Sequence, residues 1–90
     1  MKTKRYSIAD LSMFALVAQH GGFRQAGRIT GQSASALSEA IRRVEDQLGL
    51  RLLVRTTRSV TVTQAGTLLL RHLSPALEDV GRAVHAECAA

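Results

Sequence analysis

A mainly helical domain with one small β-hairpin is the fold this sequence predicts, and three features of its apolar pattern predict it. Leu37, Ile41, Val44 and Leu48 recur at the i, i+4, i+7, i+11 spacing of one buried helical face within the segment Ala34 to Leu48. After Gly49 the period shortens to about two, so that Leu52 to Arg55 and Val60 to Val62 read as short strands around Thr56-Thr57-Arg58-Ser59. From Gln64 a helical pattern returns, with Leu69, Leu73, Ala76, Val80 and Ala83 alternating four and three residues apart as a heptad seam.

The elements follow in order. Met1 to Tyr6 is a basic lead. Ser7 and Asp10 form a pair resembling a capping box, in which the Ser side chain accepts from the helix and the Asp reaches back and opposes the helix dipole. The first helix therefore starts at Ile8, buries Ile8, Leu11, Phe14, Ala15 and Ala18, and ends at Gly21-Gly22. His20, in its last turn, is read as a cation favoured by the helix carboxyl end. A short second helix, about Arg24 to Thr30, is closed by Gly31, and Ala26 and Gly27 permit close contact with its neighbour. Ser33 is placed to cap the next helix, because its hydroxyl can accept from an unsatisfied first-turn N–H. Two helices joined by a tight glycine-containing turn make a helix-turn-helix. Its second helix opens on the small side chains Ala34, Ser35 and Ala36, which allow close approach to a groove wall, while Ser35, Ser38, Glu39, Arg42 and Arg43 lie off the buried face.

A hairpin directly after such a helix is a wing. Arg55 and Arg58 at its end and tip are long cations suited to a minor groove, and the ribbon also covers the end of the preceding helix. Thr63 caps a last helix from Gln64 to near Glu87, about 36 Å long at 1.5 Å per residue. Leu68, Leu70, Leu77 and Val84 flank its seam, giving more apolar surface than a wing can cover, so pairing with a second copy is expected. Folding back on its own domain is the competing use of that face. Pro75 removes the bond its N–H would make to the Arg71 carbonyl, and a kink is expected there.

Ninety residues make one domain that buries only about 60 to 65% of its unfolded surface, so stability should be modest. Hydrophobic residues are 46% of the chain, and its aromatics are Tyr6, Phe14 and Phe23, so the core is built of Leu, Val, Ile and Ala. The net charge is +5, and its placement carries more information than its size. Arg24, Arg28, Arg42, Arg43, Arg51, Arg55 and Arg58 face only Glu39, Glu45 and Asp46 in the middle of the chain, whereas acids outnumber bases after Ser59. A basic patch on a motif of this shape attracts a polyanion, and double-stranded DNA is the expected partner.

Other classes are disfavoured. Cys88 is the single cysteine, so no internal disulfide can form, which suits a reducing cytoplasm. No Cys/His grouping has zinc-ligand spacing, and neither metal nor cofactor is expected. Ser33, Ser35, Ser38 and His72 have no neighbouring base or turn-borne oxyanion site, so no catalytic residue is assigned and no enzyme is expected. No apolar run spans a membrane. Surface attachment through a basic amphipathic helix fits poorly, because the most apolar helix is not the basic one.

Phe23, Ala26, Ser33, Ser35-Ala36-Leu37-Ser38, Ile41-Arg42, Glu45, Leu48-Gly49, Leu52-Leu53, Arg55-Thr56, Arg58 and Thr63-Gln64-Ala65-Gly66 together resemble the DNA-binding amino-terminal domain of LysR-type transcriptional regulators. The match keeps its spacing over nearly the whole chain. The resemblance implies a winged helix-turn-helix with a small β-hairpin wing over residues 1–63 and a linker helix for dimerisation over 64–90. It also implies an effector-binding domain that this chain does not include, and hence an isolated DNA-binding domain whose parent would respond to a small molecule only through that missing part.

Carried over, the base-reading positions fall on Ala34, Ser35, Ser38 and Glu39, the phosphate contacts on Ser33, Arg42 and Arg43, and the wing contacts on Arg55, Thr57 and Arg58. The dimer seam falls on Leu69, Leu73, Ala76, Leu77, Val80, Ala83 and Val84. Ala34, where many relatives carry Gln, offers only apolar contact, as to a thymine methyl. Glu39, in place of a residue often basic or His, accepts from cytosine N4 or repels phosphate at wrong sites. Thr30 and Gln32 replace apolar residues, so a less tightly packed turn is expected. The expected function is sequence-specific binding of an inverted-repeat operator by a homodimer, in the cytoplasm at the nucleoid. A protein-interaction module that docks through the apolar last helix is the alternative, kept open by Glu39 on the reading face.

Overall fold

The computed structural model describes residues 6–56 and 59–88, and its helices and strands start and end within one residue of the expected places. Its elements run α1 (Ile8–His20), α2 (Phe23–Thr30), α3 (Ala34–Leu48), β1 (Leu53–Arg55), β2 (Val60–Val62) and α4 (Gln64–Cys88).

Ser7 caps α1, its Oγ accepting from the Asp10 N–H at 3.3 Å, and Gly21 ends the helix at φ +72°. The buried stripe is Asp10, Leu11, Phe14 and Val17. Ile8 was expected in it but is 56% exposed, and Ala15 and Ala18 are only half-buried. The stripe is phased on Phe14 and Val17, which places Ile8 about a third of a turn round the helix from its centre. The Asp10 carboxylate does not act as the reach-back half of a capping box; Arg43 of α3 holds it instead.

α2 starts one residue early, at Phe23, and buries Ala26. Gly27 is required by its surroundings, because a Cβ there would lie 2.8 Å from the Gln32 carbonyl oxygen. The turn is held by polar bonds rather than by bulk. The Gly31 N–H donates to the Gly27 carbonyl at 2.8 Å, and the Thr30 hydroxyl donates to the Ala26 carbonyl at 2.9 Å while accepting from the Gln32 N–H. Thr30 thus braces the turn it was expected to loosen. α3 buries Leu37, Ala40, Ile41 and Val44 against α1, with Leu48 half-buried at its end.

The strands pair antiparallel, with Leu53 opposite Val62 and Arg55 opposite Val60. β1 begins at Leu53 rather than Leu52. The Leu52 N–H is taken by the Glu45 carboxylate at 2.8 Å and its carbonyl accepts from the Thr63 N–H at 3.0 Å, so this fully buried residue leaves the ladder to pin α3 to α4. Thr56 and Ser59 close the hairpin by a bond of 2.9 Å from the Thr56 N–H to the Ser59 carbonyl. Thr57 and Arg58, both expected wing contacts, lie outside the described residues.

Thr63 caps α4 by accepting from the Gly66 N–H at 3.0 Å, and the helix continues across Pro75 to Cys88, one residue past the expected end. Leu69, Leu70 and Leu73 pack against the core, whereas Val80 and Val84 are more than half exposed. The first half of α4 is therefore folded onto its own domain and the second half stands away from it. No helix among the described residues is long and apolar enough to cross a membrane.

Candidate nucleic-acid interface

The exposed side of α3 is assembled by its cap. Ser33 Oγ accepts from the Ala36 N–H at 3.1 Å, and the Ser33 carbonyl accepts from the Leu37 N–H at 3.1 Å. Those bonds orient the first turn so that Ser33, Ala34 and Ser35 are exposed at the positive end of the helix. Glu39, Arg42 and Arg43 follow on exposed positions, and Ser38 is half-buried. The sequence-predicted residues of α3 are thus gathered on one side.

Two of the expected cations are engaged within the fold. Arg43 meets Asp10 through Nε and Nη2, at 3.1 Å each, in the two-point geometry that suits a guanidinium and a carboxylate. Hydrogen bonding to Asp10, then the Asp10 charge, holds the Arg43 guanidinium above the usual arginine range, and Glu39 adds in the same direction. Arg55 does not extend along the wing as a free cation. It turns toward α3, where Nη1 donates to Ser38 Oγ at 2.7 Å and Nη2 lies 3.8 Å from Glu45 Oε1. Its guanidinium carbon stands 5.3 Å from the centre of the Phe23 ring, within cation–π range.

Sequence reasoning assigned no role to Glu45, Phe23 or the Asp10 side chain in this arrangement. Glu45 Oε2 accepts from both the Leu52 and Leu53 N–H groups, at 2.8 and 3.2 Å, so one carboxylate joins α3 to the start of the wing and faces Arg55. A readable signal was present: an acid in the last turn of a helix, just before strand N–H groups that a two-stranded ribbon leaves without ladder partners. Among the described residues no cluster of three His, Cys, Asp or Glu side chains is arranged to hold a metal.

The expected dimer seam is divided by the packing of α4. Leu69 and Leu73 are half-buried against their own core, which withdraws them from the free face, while Ala76, Val80, Ala83 and Val84 are exposed and Leu77 is half-buried. A groove between α1 and α4, lined by Ala15, Leu16, Ala18, Leu70 and Leu77, continues from that exposed half.

Residues 8–67 match the model of bacterial regulatory helix-turn-helix proteins of the lysR family. The HTH-type transcriptional regulator PgrR of Escherichia coli K12 is 49% identical over 81 residues, covering 90% of this chain and 27% of that protein. Oxidised OxyR of Corynebacterium glutamicum is similar at a TM-score of 0.88 and 31% identity, over 96% of this chain and 28% of that one. The DNA-binding domain of CbnR, solved in complex with DNA, is similar at a TM-score of 0.79 and 28% identity, over 92% of this chain and 95% of that one. The chain spans about a quarter of the length of the curated relatives it matches.

Proposed function

Because the chain belongs to the lysR family of bacterial regulatory helix-turn-helix proteins and is a DNA-binding domain of that kind, we propose that it binds an inverted-repeat operator as a homodimer, with α3 in the major groove. The observation that carries this reading is the capped, exposed start of α3, with Ser33, Ala34 and Ser35 at its tip and Ser38, Glu39 and Arg42 beside them. Ala34, Ser35, Ser38 and Glu39 meet base edges, and Ser33 and Arg42 meet phosphates. Arg43 reaches a phosphate with Nη1, since Asp10 occupies its Nε and Nη2. Thr57 and Arg58 carry the wing into the adjacent minor groove, with Arg55 behind them.

Residues 1–63 serve as the reading unit and 64–90 as the linker that pairs two copies through Ala76, Leu77, Val80, Ala83 and Val84. Pairing sets the two recognition helices about 34 to 36 Å apart, one turn of the duplex. The domain acts in the cytoplasm, at the nucleoid, without a catalytic step, and any small-molecule control belongs to a further effector-binding domain of the parent protein.

Selection of bound sequences from a random duplex pool at two salt concentrations tests this. An inverted repeat with two spaced half-sites, bound several kcal/mol more tightly than a scrambled duplex and more weakly as salt rises, is expected. Equal affinity for every duplex removes the sequence-specific part, and no binding at either salt favours docking to a protein through α4.

A further inference from the structure

A serine hydroxyl has one O–H to give and lone pairs with which to accept, so an isolated serine on a groove-facing helix reads donors and acceptors alike. Ser38 is not isolated. Arg55 Nη1 donates to its Oγ at 2.7 Å, and a guanidinium cannot accept, so the direction of that bond is fixed. The Ser38 proton therefore points away from Arg55, and among the described residues no other hydrogen bond engages the hydroxyl. Arg55 is itself confined. The Phe23 ring lies beneath its guanidinium, Glu45 Oε1 faces its Nη2, and that Nη2 is buried without a hydrogen-bond acceptor. Glu45 is in turn fixed by the wing N–H groups of Leu52 and Leu53.

Resting on the reading that Ser38 meets a base edge, we propose that Arg55 is a positioning residue that takes one of the two lone pairs of Ser38 Oγ, turns its proton toward the groove and so biases it toward acceptor edges. In the major groove those are purine N7, guanine O6 and thymine O4, and the amino groups of cytosine and adenine are the edges it disfavours. The positive charge behind Oγ acts in the same direction, because it repels an approaching amino hydrogen and strengthens the O–H as a donor. The wing strand thereby sets specificity in the major groove through a residue that touches no base.

The test is duplex selection with the wild-type chain, Ser38→Ala, Arg55→Met, Arg55→Lys and the double variant Ser38→Ala/Arg55→Met, each first checked for a cooperative thermal transition. The wild type is expected to prefer an acceptor edge at one base pair of each half-site. Ser38→Ala and Arg55→Met each flatten that preference by about three- to tenfold while the other positions keep theirs, and the double variant is no worse than either single one. Arg55→Lys, which retains a charged donor, keeps part of it. Should Arg55→Met fail to melt cooperatively, Ser38→Ala decides, since loss of a preference for cytosine or adenine amino groups overturns the proposal. Unchanged discrimination in folded Arg55→Met overturns it too, as do effects of the two single variants at different base pairs. Wild-type binding without any base preference overturns this proposal and leaves DNA binding standing, whereas no binding at all removes both.

Discussion

Arg43 and Asp10 join the middle of α3 to the first turn of α1 through two hydrogen bonds of 3.1 Å, and among the described residues Asp10 is the one charged side chain in the buried set. The pair ties α3 to α1, and it occupies two of the Arg43 donors on which the proposed phosphate contact would draw. Helix anchoring and binding charge are therefore set against each other at one residue.

Asp10→Asn separates the two effects. It keeps the volume but removes the charge opposite Arg43, so the melting temperature is expected to fall while Arg43 becomes free for the duplex. Non-specific affinity should then rise at low salt, with the slope of log K against log salt steeper by about one phosphate. Thermal melts and salt titrations on a scrambled duplex check both. Arg43 itself brings no pH dependence near neutrality. Its raised value means that its contribution is fully present below the ordinary arginine range and is lost only as pH climbs through the raised one.

Glu45 predicts a second loss. Its carboxylate is the acceptor for the Leu52 and Leu53 N–H groups, and its side chain is only 16% exposed. Glu45→Ala leaves two donors unpaired beside a fully buried Leu52 and removes the charge facing Arg55, for an expected cost of about 2 to 4 kcal/mol in chemical denaturation. Glu45→Gln retains one acceptor oxygen and should cost about half as much. Equal losses for the two variants would locate the effect in packing and not in these bonds.

Gly66 and Gly81 lie on one helix and predict opposite signs. A Cβ at Gly66 would meet the Leu52 carbonyl and stand 2.7 Å from Val62 Cγ1, so Gly66→Ala must push α4 off the wing, at an expected cost of about 1 to 3 kcal/mol. Around Gly81 nothing lies within 4 Å, and Gly81→Ala should stabilise the helix by about 0.5 to 1 kcal/mol. Urea titrations of the two variants give the comparison directly.

Local signals set most of this fold. The caps Ser7, Ser33 and Thr63 and the left-handed glycines Gly21, Gly31 and Gly49 are read from residue type and spacing, and each ends or starts a helix within one residue of the expected place. The apolar face of α3 followed from its period for the same reason. What the period could not give was contact between distant side chains. Asp10 looked like a capping residue because its partner is 33 positions away. Leu52 looked like a strand residue because the carboxylate that draws its N–H out of the ladder belongs to α3. Arg55 looked like a free wing cation because nothing in its own strand reveals Ser38, Phe23 and Glu45 around it. The exposed end of α3 was legible from the sequence, and the internal bonds that restrict it were not.

Val80 and Val84 carry the last prediction. They are 54% and 58% exposed, on the half of α4 that stands away from the core and next to the groove against α1. If two copies pair there, Val80→Glu places a carboxylate in an apolar seam, where its desolvation opposes association without disturbing the folded monomer. Sedimentation should shift from dimer to monomer, and affinity for a two-half-site duplex should fall toward that for a single half-site. The salt slope should halve with it, because each protein then neutralises half as many phosphates. A chain that sediments unchanged and binds both duplexes as before would mean that this half of α4 faces solvent, and that pairing, if the operator requires it, is supplied from outside residues 64–90.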